Sequence, residues 1–305
     1  MKERVCVLMA TYNPQKYLLE QINSILQQEK VEVEIIIRDD GSSDKTYLNQ
    51  IKHIPNITVI EGENLGVANN IMTLIRYAYE NKKDYKYFAY SDQDDFWLSD
   101  KLMVGIEHIK EYNKKQPNLY YSNLQVVDRE LNPTHMLFKK RVVKSCKGQS
   151  LAQVFCFACT TIFNYTMVEE LIHYDIEDMG FDSLIYYIAI FLGNAFYDDN
   201  SYILYRQHGE NVSGQHYNGI KKIKARIFQI IHFKEMESPF EYNANYLLSH
   251  MSEKLSVDDK RLIETVAFYK KSIKNKLKLL FDNDIKAGYN PKNFQCLLRI
   301  LVNKY

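Results

Sequence analysis

Between residues 5 and 95 the chain alternates short, β-branched apolar runs with longer stretches whose apolar residues recur every three to four positions. The runs are VCVLMAT (5–11), VEVEIIIRDD (31–40), ITVIE (57–61) and YKYFAYS (85–91). Between them lie YLLEQINSILQQ (17–28), with Leu18, Ile22, Ile25 and Leu26 on one face, a short helix near 44–53, and a helix over 67–81 with Ile71, Leu74, Ile75 and Ala78 facing inward. Apolar strands each followed by an amphipathic helix predict βαβ units around a parallel sheet. Ligands of such sheets bind beyond the carboxyl ends of the strands, where the loops converge. Thr11-Tyr12-Asn13, Asp39-Asp40, Asn64-Leu65-Gly66 and Asp92 to Asp95 therefore share one rim.

The segment YFAYSDQDDFWLSDKL (87–102) places Asp92, Asp94 and Asp95 at that rim. Carboxylates packed within a few Å repel one another, and Mg²⁺ or Mn²⁺ relieves the repulsion while keeping open positions for phosphate oxygens. The alternative is a solvated acidic turn that opens the helix from Ser99, with Leu102, Met103, Ile106 and Ile109 inward. Asp100 fits that second role, as an acid in the first turn; Asp92 and Asp94 fit the first. ATYNPQ stands where a dinucleotide fold has its glycine-rich turn, and no P-loop is present, which disfavours dinucleotide binding and P-loop phosphoryl transfer.

Farther along, LYYSNLQVVD (119–128) and TTIFNY (160–165) read as strands, FDSLIYYIAIFLG (181–193) as a buried helix entered at Asp182, and AFYDDNSYILYRQHG (195–209) as a hairpin of two strands. An aspartate opening a helix is by itself most simply an N-cap. GENVSGQHYNG (209–219) marks a break. Residues 1–218 carry 22 Lys and Arg against 29 Asp and Glu, whereas 219–305 carry 17 against 9, so an acidic domain over 1–218 is followed by a basic helical region over 219–305. In that region Ile220 to Ile231 and Leu262 to Phe281 have helical period, and such helices either lie on an anionic membrane surface or pack inward with their lysines solvated. Five scattered cysteines fit a reducing compartment, and Cys156 and Cys159 read as buried structural thiols because no second ligand pair completes a zinc set. The start lacks a signal peptide's apolar core and the longest apolar stretch is too short to span a bilayer, so residence in the cytoplasm is expected. The acidic rim and the absence of aromatics interleaved with the basic residues exclude a nucleic-acid partner.

LMATYNPQKYLLEQINSILQQ, IIIRDDGSSDKT, ENLGVANN and YSDQDDFWLSDKL, in this order and spacing, resemble the inverting nucleotide-sugar glycosyltransferases of family 2. YRQHGENVSG (205–214) and the basic helical tail are similar to the rhamnosyltransferase-like branch that builds bacterial surface polysaccharides. The resemblance implies an α/β GT-A fold, a Rossmann-like nucleotide-sugar-binding half continued by an acceptor half around one mixed sheet, plus a C-terminal helical extension. It implies that Thr11, Tyr12 and Asn13 border the nucleotide, that Asp40 contacts the base with Asp39 beside it, and that Asn64, Gly66, Asn69 and Gln93 join them. Asp92-Gln93-Asp94 matches the DxD motif, Asp92 near the ribose and Asp94 on a divalent cation, with Asp95 a further acid and His208 near the diphosphate or metal. Asp182 matches the catalytic base, although GFDSLI lacks the branch's flanking His and Trp, and FACTT (157–161) has Ala158 where the family has Gly. The implied donor is a dTDP or UDP sugar, and the implied acceptor a saccharide or lipid-linked saccharide at the inner face of the cell membrane, with peripheral contact through the basic helices. The competing reading, kept open by the departure around Asp182, is a non-catalytic nucleotide-sugar-binding or scaffold subunit.

Overall fold

The computed structural model describes residues 2–176, 179–207 and 239–305. The first strand, β1 (Glu3–Thr11), is followed by α1 (Tyr17–Leu26), β2 (Val31–Asp39), α2 (Thr46–Ile51), β3 (Ile57–Glu61), α3 (Val67–Asn81) and β4 (Tyr87–Ser91). β1 pairs in parallel with β2 and β4, and β2 with β3, as the alternating pattern predicts. Val5 to Met9 are all fully buried, because helices cover both faces of these strands. Val5, Val7 and Met9 pack with Leu18, Ile22 and Ile25 of α1 in one cluster. Each such burial stabilises the fold by about 1.5–3 kcal/mol.

Beyond β4 come β5 (Phe96–Trp97), α4 (Lys101–Ile109), β6 (Asn118–Val127), β7 (Pro133–Met136), the single turn α5 (Lys147–Ser150), β8 (Ile162–Asn164), α6 (Tyr165–Leu171), α7 (Phe181–Leu192) and β9 (Asn194–Arg206). The sheet order is β3-β2-β1-β4-β8-β6-β9-β5, with β7 on β6. β8 runs antiparallel to both β4 and β6, and β9 runs parallel to β6, so the sheet is mixed. At the α7–β9 junction Gly193 is obligatory: a Cβ there would sit 1.9 Å from the Pro117 carbonyl oxygen.

Three expectations need correction. The hairpin over 195–209 is one strand, β9; Asp199 and Asn200 drop out of the pairing where the register shifts from Ser122 opposite Asp198 to Asn123 opposite Ser201. The Asn200 amide donates to Asp198 Oδ1 at 2.8 Å, so the turn-forming residues make a bulge. Asp100 sits just before α4 and makes no side-chain capping bond; Gln28 Oε1 accepts the Leu102 amide at 2.9 Å instead. The helix expected over Leu262–Phe281 breaks at 268–272, where Ser272 Oγ accepts the Asn275 amide and starts a new helix.

The chain divides into two compact units, the first comprising residues 2–141 and 156–207. The second joins Val142–Phe155 to the described C-terminal residues, α8 (Pro239–His250), α9 (Val257–Ala267), α10 (Ile273–Phe281) and α11 (Asn290–Leu301). Within it the Tyr305 hydroxyl donates to the Leu151 carbonyl at 2.9 Å and Lys147 pairs with Asp259 at 2.8 Å, which ties the internal segment to the helices. The basic helix expected over 220–231 lies outside the described residues. No helix among the described residues is long and apolar enough to cross a membrane.

Candidate active site

The rim forms because the polar ends of β1, β2 and β4 bond to one another rather than to water. Asp39 is fully buried; its Oδ2 accepts the Ser42 amide at 2.9 Å and its Oδ1 accepts the Ser42 and Thr11 hydroxyls. Asp40 Oδ1 accepts from Arg38 at 2.8 Å and from the Leu65 amide at 2.9 Å, and its Oδ2 accepts the Gly66 amide at 2.9 Å. Asp40 thus holds the loop that precedes α3; Asn64 and Gly66 stand exposed on it, and Asn69 is exposed in the first turn of α3. Asn13, in the left-handed region at φ 42°, accepts through Oδ1 from the Ser43 amide at 3.0 Å. Tyr12 is exposed, and its main chain is gripped by Gln93, which accepts from its amide at 3.0 Å and donates to its carbonyl at 3.2 Å.

Gln93 lies within the aspartate segment, whose two ends are fixed separately. At the β4 end Gln21 Nε2 donates to Ser91 Oγ at 2.8 Å. At the far end, buried Arg206 closes β9 against the segment: its amide donates to Asp95 Oδ1 at 3.1 Å and its Nε to the Asp94 carbonyl at 2.9 Å. The same guanidinium reaches Glu20 and the Arg129 carbonyl and lies over the Tyr17 ring. Asp95 is fully buried, and its Oδ2 has no hydrogen-bond partner among the described residues. Ligand atoms of Asp92, Asp95 and Cys159 all lie within 4.8 Å of one another.

Burial and mutual repulsion push these acids up. Burial, then the Asp94 and Asp182 charges, raise Asp92 to about 7, against hydrogen bonds from Tyr90 and Cys159. Burial, then Asp92 and Asp94, carry Asp95 well above the ordinary carboxylate range. Beneath them Lys101 is fully buried on the Trp97 ring, 3.8 Å from its centroid, and its Nζ has no hydrogen-bond partner among the described residues. Burial draws its ammonium down to about 7, while Cys159 and Asp95 favour its charge. A buried carboxylate with an unpartnered oxygen, Asp95, beside the half-buried Asp92 suits a hard divalent cation.

Asp182 enters from the other half of the sheet. Gly180, at φ 78°, supplies the left-handed turn that opens α7, and Asp182 follows in its first turn. Asp182 is therefore not the N-cap; its Oδ1 accepts the Ala158 amide at 2.9 Å. Ala158 begins the 3₁₀ turn Ala158–Thr160 that also carries Cys159. Burial raises Asp182 to about 6 despite that hydrogen bond.

These shifts have a consequence for stability. Asp92 and Asp182 hold protons more tightly folded, at about 7 and about 6, than the ~3.9 of an unfolded Asp. Their stabilising contribution is complete below about pH 4 and is lost as pH rises through 6 to 7. Glu61, held down at about 2 by Lys45 and Lys52, acts in the opposite sense but only at lower pH. The melting temperature without divalent cations should therefore fall between pH 5 and pH 7, above which Lys101, drawn down to about 7, acts in the opposite sense; Mn²⁺ at pH 7 should restore it, and Asp92→Asn should flatten the fall. A melting temperature that rises over this interval in the wild type contradicts the buried-acid account.

Of the residues singled out from sequence, the structure brings Asp92, Asp95 and Asp182 together, with Asp94 close enough to repel the first two. Thr11, Asp39 and Asp40 are buried in bonds within the rim, and His208 lies outside the described residues. Arg206, Lys101 and the place of Cys159 beside the acids were missed. The only sequence signals were an arginine in YRQH, a lysine within the amphipathic DKL start of α4, and a cysteine in a pair with no partners.

Comparison with known proteins follows this geometry. The family profile described as "Glycosyl transferase family 2" matches residues 6–167. A dTDP-rhamnosyl transferase, RfbG, of Shigella flexneri is 28% identical over 225 residues, which cover 68% of this chain and 73% of that protein. The Escherichia coli UDP-Glc:alpha-D-GlcNAc-diphosphoundecaprenol beta-1,3-glucosyltransferase WfgD is 24% identical over 178 residues, 56% of this chain and 67% of that one. Among solved structures, residues 1–349 of S. aureus TarS in complex with UDP-GlcNAc superpose with a TM-score of 0.57 at 16% identity, covering 98% of this chain and 90% of that chain. The last likeness is one of fold, and it agrees with the GT-A architecture expected from the motifs.

Proposed function

Since this chain belongs to glycosyl transferase family 2 and is a glycosyltransferase, we propose that it moves a sugar, with inversion, from a nucleoside diphosphate to an acceptor hydroxyl during synthesis of a surface polysaccharide. The observation that carries this reading is the placement of Asp182, raised to about 6, beside a cluster of acids suited to a cation. The donor is a dTDP or UDP sugar, as the names of the relatives above suggest, with rhamnose the first to try. The acceptor is a saccharide or lipid-linked saccharide, met in the cytoplasm at the inner face of the membrane. The transferase domain lies within residues 1–218, without Val142–Phe155, which group with the C-terminal helices.

The roles follow from charge and reach. Asp182 is anchored through one oxygen by the Ala158 amide, which leaves the other for the acceptor's proton. As the acceptor O–H bond breaks toward Asp182, its oxygen bonds to the anomeric carbon while the bond to the diphosphate breaks on the opposite face. Near neutral pH a base at about 6 is ionised yet still basic enough to accept that proton. Asp92, Asp94 and Asp95 would hold Mg²⁺ or Mn²⁺, with His208 a further candidate ligand, and the bound cation would supply positive charge to the departing diphosphate. The rim of Thr11, Tyr12, Asn13, Asp39 and Asp40, with Asn64 and Gly66 on the adjoining loop and Asn69 in the first turn of α3, takes the nucleoside. Gln93 keeps the Tyr12 backbone and the acidic segment in one piece.

Thermal unfolding with dTDP, UDP and GDP, each with and without Mn²⁺ or Mg²⁺, tests the reading. Ligand at a hundred times its dissociation constant stabilises the native state by about 2.7 kcal/mol. The expected result is a shift for dTDP or UDP that needs the cation, followed by release of the nucleoside diphosphate when donor and acceptor are supplied. Binding without any turnover would instead favour the scaffold reading, and no shift with any nucleotide would remove donor binding.

A further inference from the structure

In the C-terminal unit the two last helices each carry two apolar faces, only one of which is used. α10 buries Leu279 and α11 buries Cys296 and Ile300. The outward stripe of α10 consists of Ile273, Leu277 and Phe281, spaced by four and exposed by 82%, 50% and 76%. On α11, Phe294, Leu297 and Leu301, spaced by three and four, are exposed as well. Phe294 and Leu297 line a 260 Å³ groove together with Leu279 and Leu280 of α10. Helices of a soluble unit place polar residues on the outer face, and a contiguous exposed apolar patch marks an interaction site.

The charge around the patch selects its occupant. From Phe268 to Tyr305 nine side chains are basic and only Asp282 and Asp284 acidic. Lys274 and Lys278 follow Ile273 and Leu277 directly and are exposed. A second copy of the chain meeting this face across a two-fold axis would set these like charges against each other. An anionic bilayer accepts both components, taking the apolar stripe into the acyl boundary and the lysines among its headgroups. We infer that α10 and α11 form a membrane-docking face that seats Ile273, Leu277 and Phe281 in an anionic lipid surface. This deepens the proposed use of a lipid-linked acceptor and rests on that reading for its purpose, while the physical argument stands on the two helices alone.

The test is co-sedimentation of the full chain with vesicles of phosphatidylcholine alone and of phosphatidylcholine with one third phosphatidylglycerol. The wild type should pellet with the anionic vesicles, hardly with the neutral ones, and less as salt is raised. The triple variant Ile273→Ser/Leu277→Ser/Phe281→Ser should lose at least tenfold in vesicle affinity. Because all three side chains point to solvent, it should keep its melting temperature and the nucleotide-dependent shift. That retained shift separates failure of docking from failure of the transferase reading. No binding by the wild type, equal binding by the variant, or a self-association that the variant abolishes without any vesicle binding would overturn the inference, the last in favour of a second copy.

Discussion

Asp182→Asn should lower sugar transfer by about 10³-fold while leaving the fold and donor binding intact, since positioned proton transfer contributes about 10²–10⁴-fold. Asparagine keeps the size of the side chain and an oxygen that can still accept the Ala158 amide now bonded at 2.9 Å. It cannot take a proton from the acceptor. The wild-type rate should rise with pH through about 6, as Asp182 ionises, and then level off. The residual rate of the variant should lack that limb. Nucleoside diphosphate release and the nucleotide-dependent melting shift, measured on the same preparation, separate the two effects. A variant that transfers at the wild-type rate, or keeps the limb near 6, assigns the base elsewhere. Alanine is the poorer choice because it would leave the Ala158 amide without its acceptor, mixing a structural cost with the chemical one.

Asp94→Ala should abolish the cation-dependent part of donor binding and reduce transfer by about 10³-fold, the scale seen when a group that stabilises developing charge is removed. The Asp94 carbonyl accepts Arg206 Nε at 2.9 Å, and a change of side chain leaves that bond in place. Loss of one acid also relieves repulsion on Asp92 and Asp95, so the variant should be at least as stable as the wild type without metal at pH 8. Cation titration followed by melting temperature, with and without the nucleotide, reads both effects. Retention of a metal-dependent shift in Asp94→Ala and its loss in Asp92→Asn would place the cation on the Asp92–Asp95–Cys159 group, whose ligand atoms lie within 4.8 Å of one another.

How the site is built explains which of its parts are legible in one dimension. Tyr12, Gln93 and the acids from Asp92 to Asp95 could be placed because strand ends are marked locally, where an apolar run stops and polar residues begin, and parallel strands put those ends on one rim. Arg206 could not be placed. It contacts the acidic segment because β9 pairs antiparallel with β5, with Leu204 opposite Phe96, so that Arg206 reaches Asp94 and Asp95, more than a hundred residues away. DDNS carries the same local preference for a turn whether it closes a hairpin or bulges out of a strand, and the pairing of Ser122 and Asn123 across the sheet decided for the bulge. The break between α9 and α10 has only a local marker, Ser272, whose Oγ accepts the Asn275 amide, while helical period continues through it in the sequence.

The sequence alone therefore determined the parallel half of the sheet, the rim on which the acids stand and, through ordered motifs, the family. These depend on periodicities of two and 3.6 residues and on short segments, all of which survive in the unfolded chain. Only the tertiary structure decided the mixed second half, the closure of Arg206 on the acidic segment, and the burial that lifts Asp92 to about 7 and Asp182 to about 6. Those properties belong to groups far apart along the chain. A charge is made costly by what surrounds it in space, and neighbours in space are chosen by the whole fold.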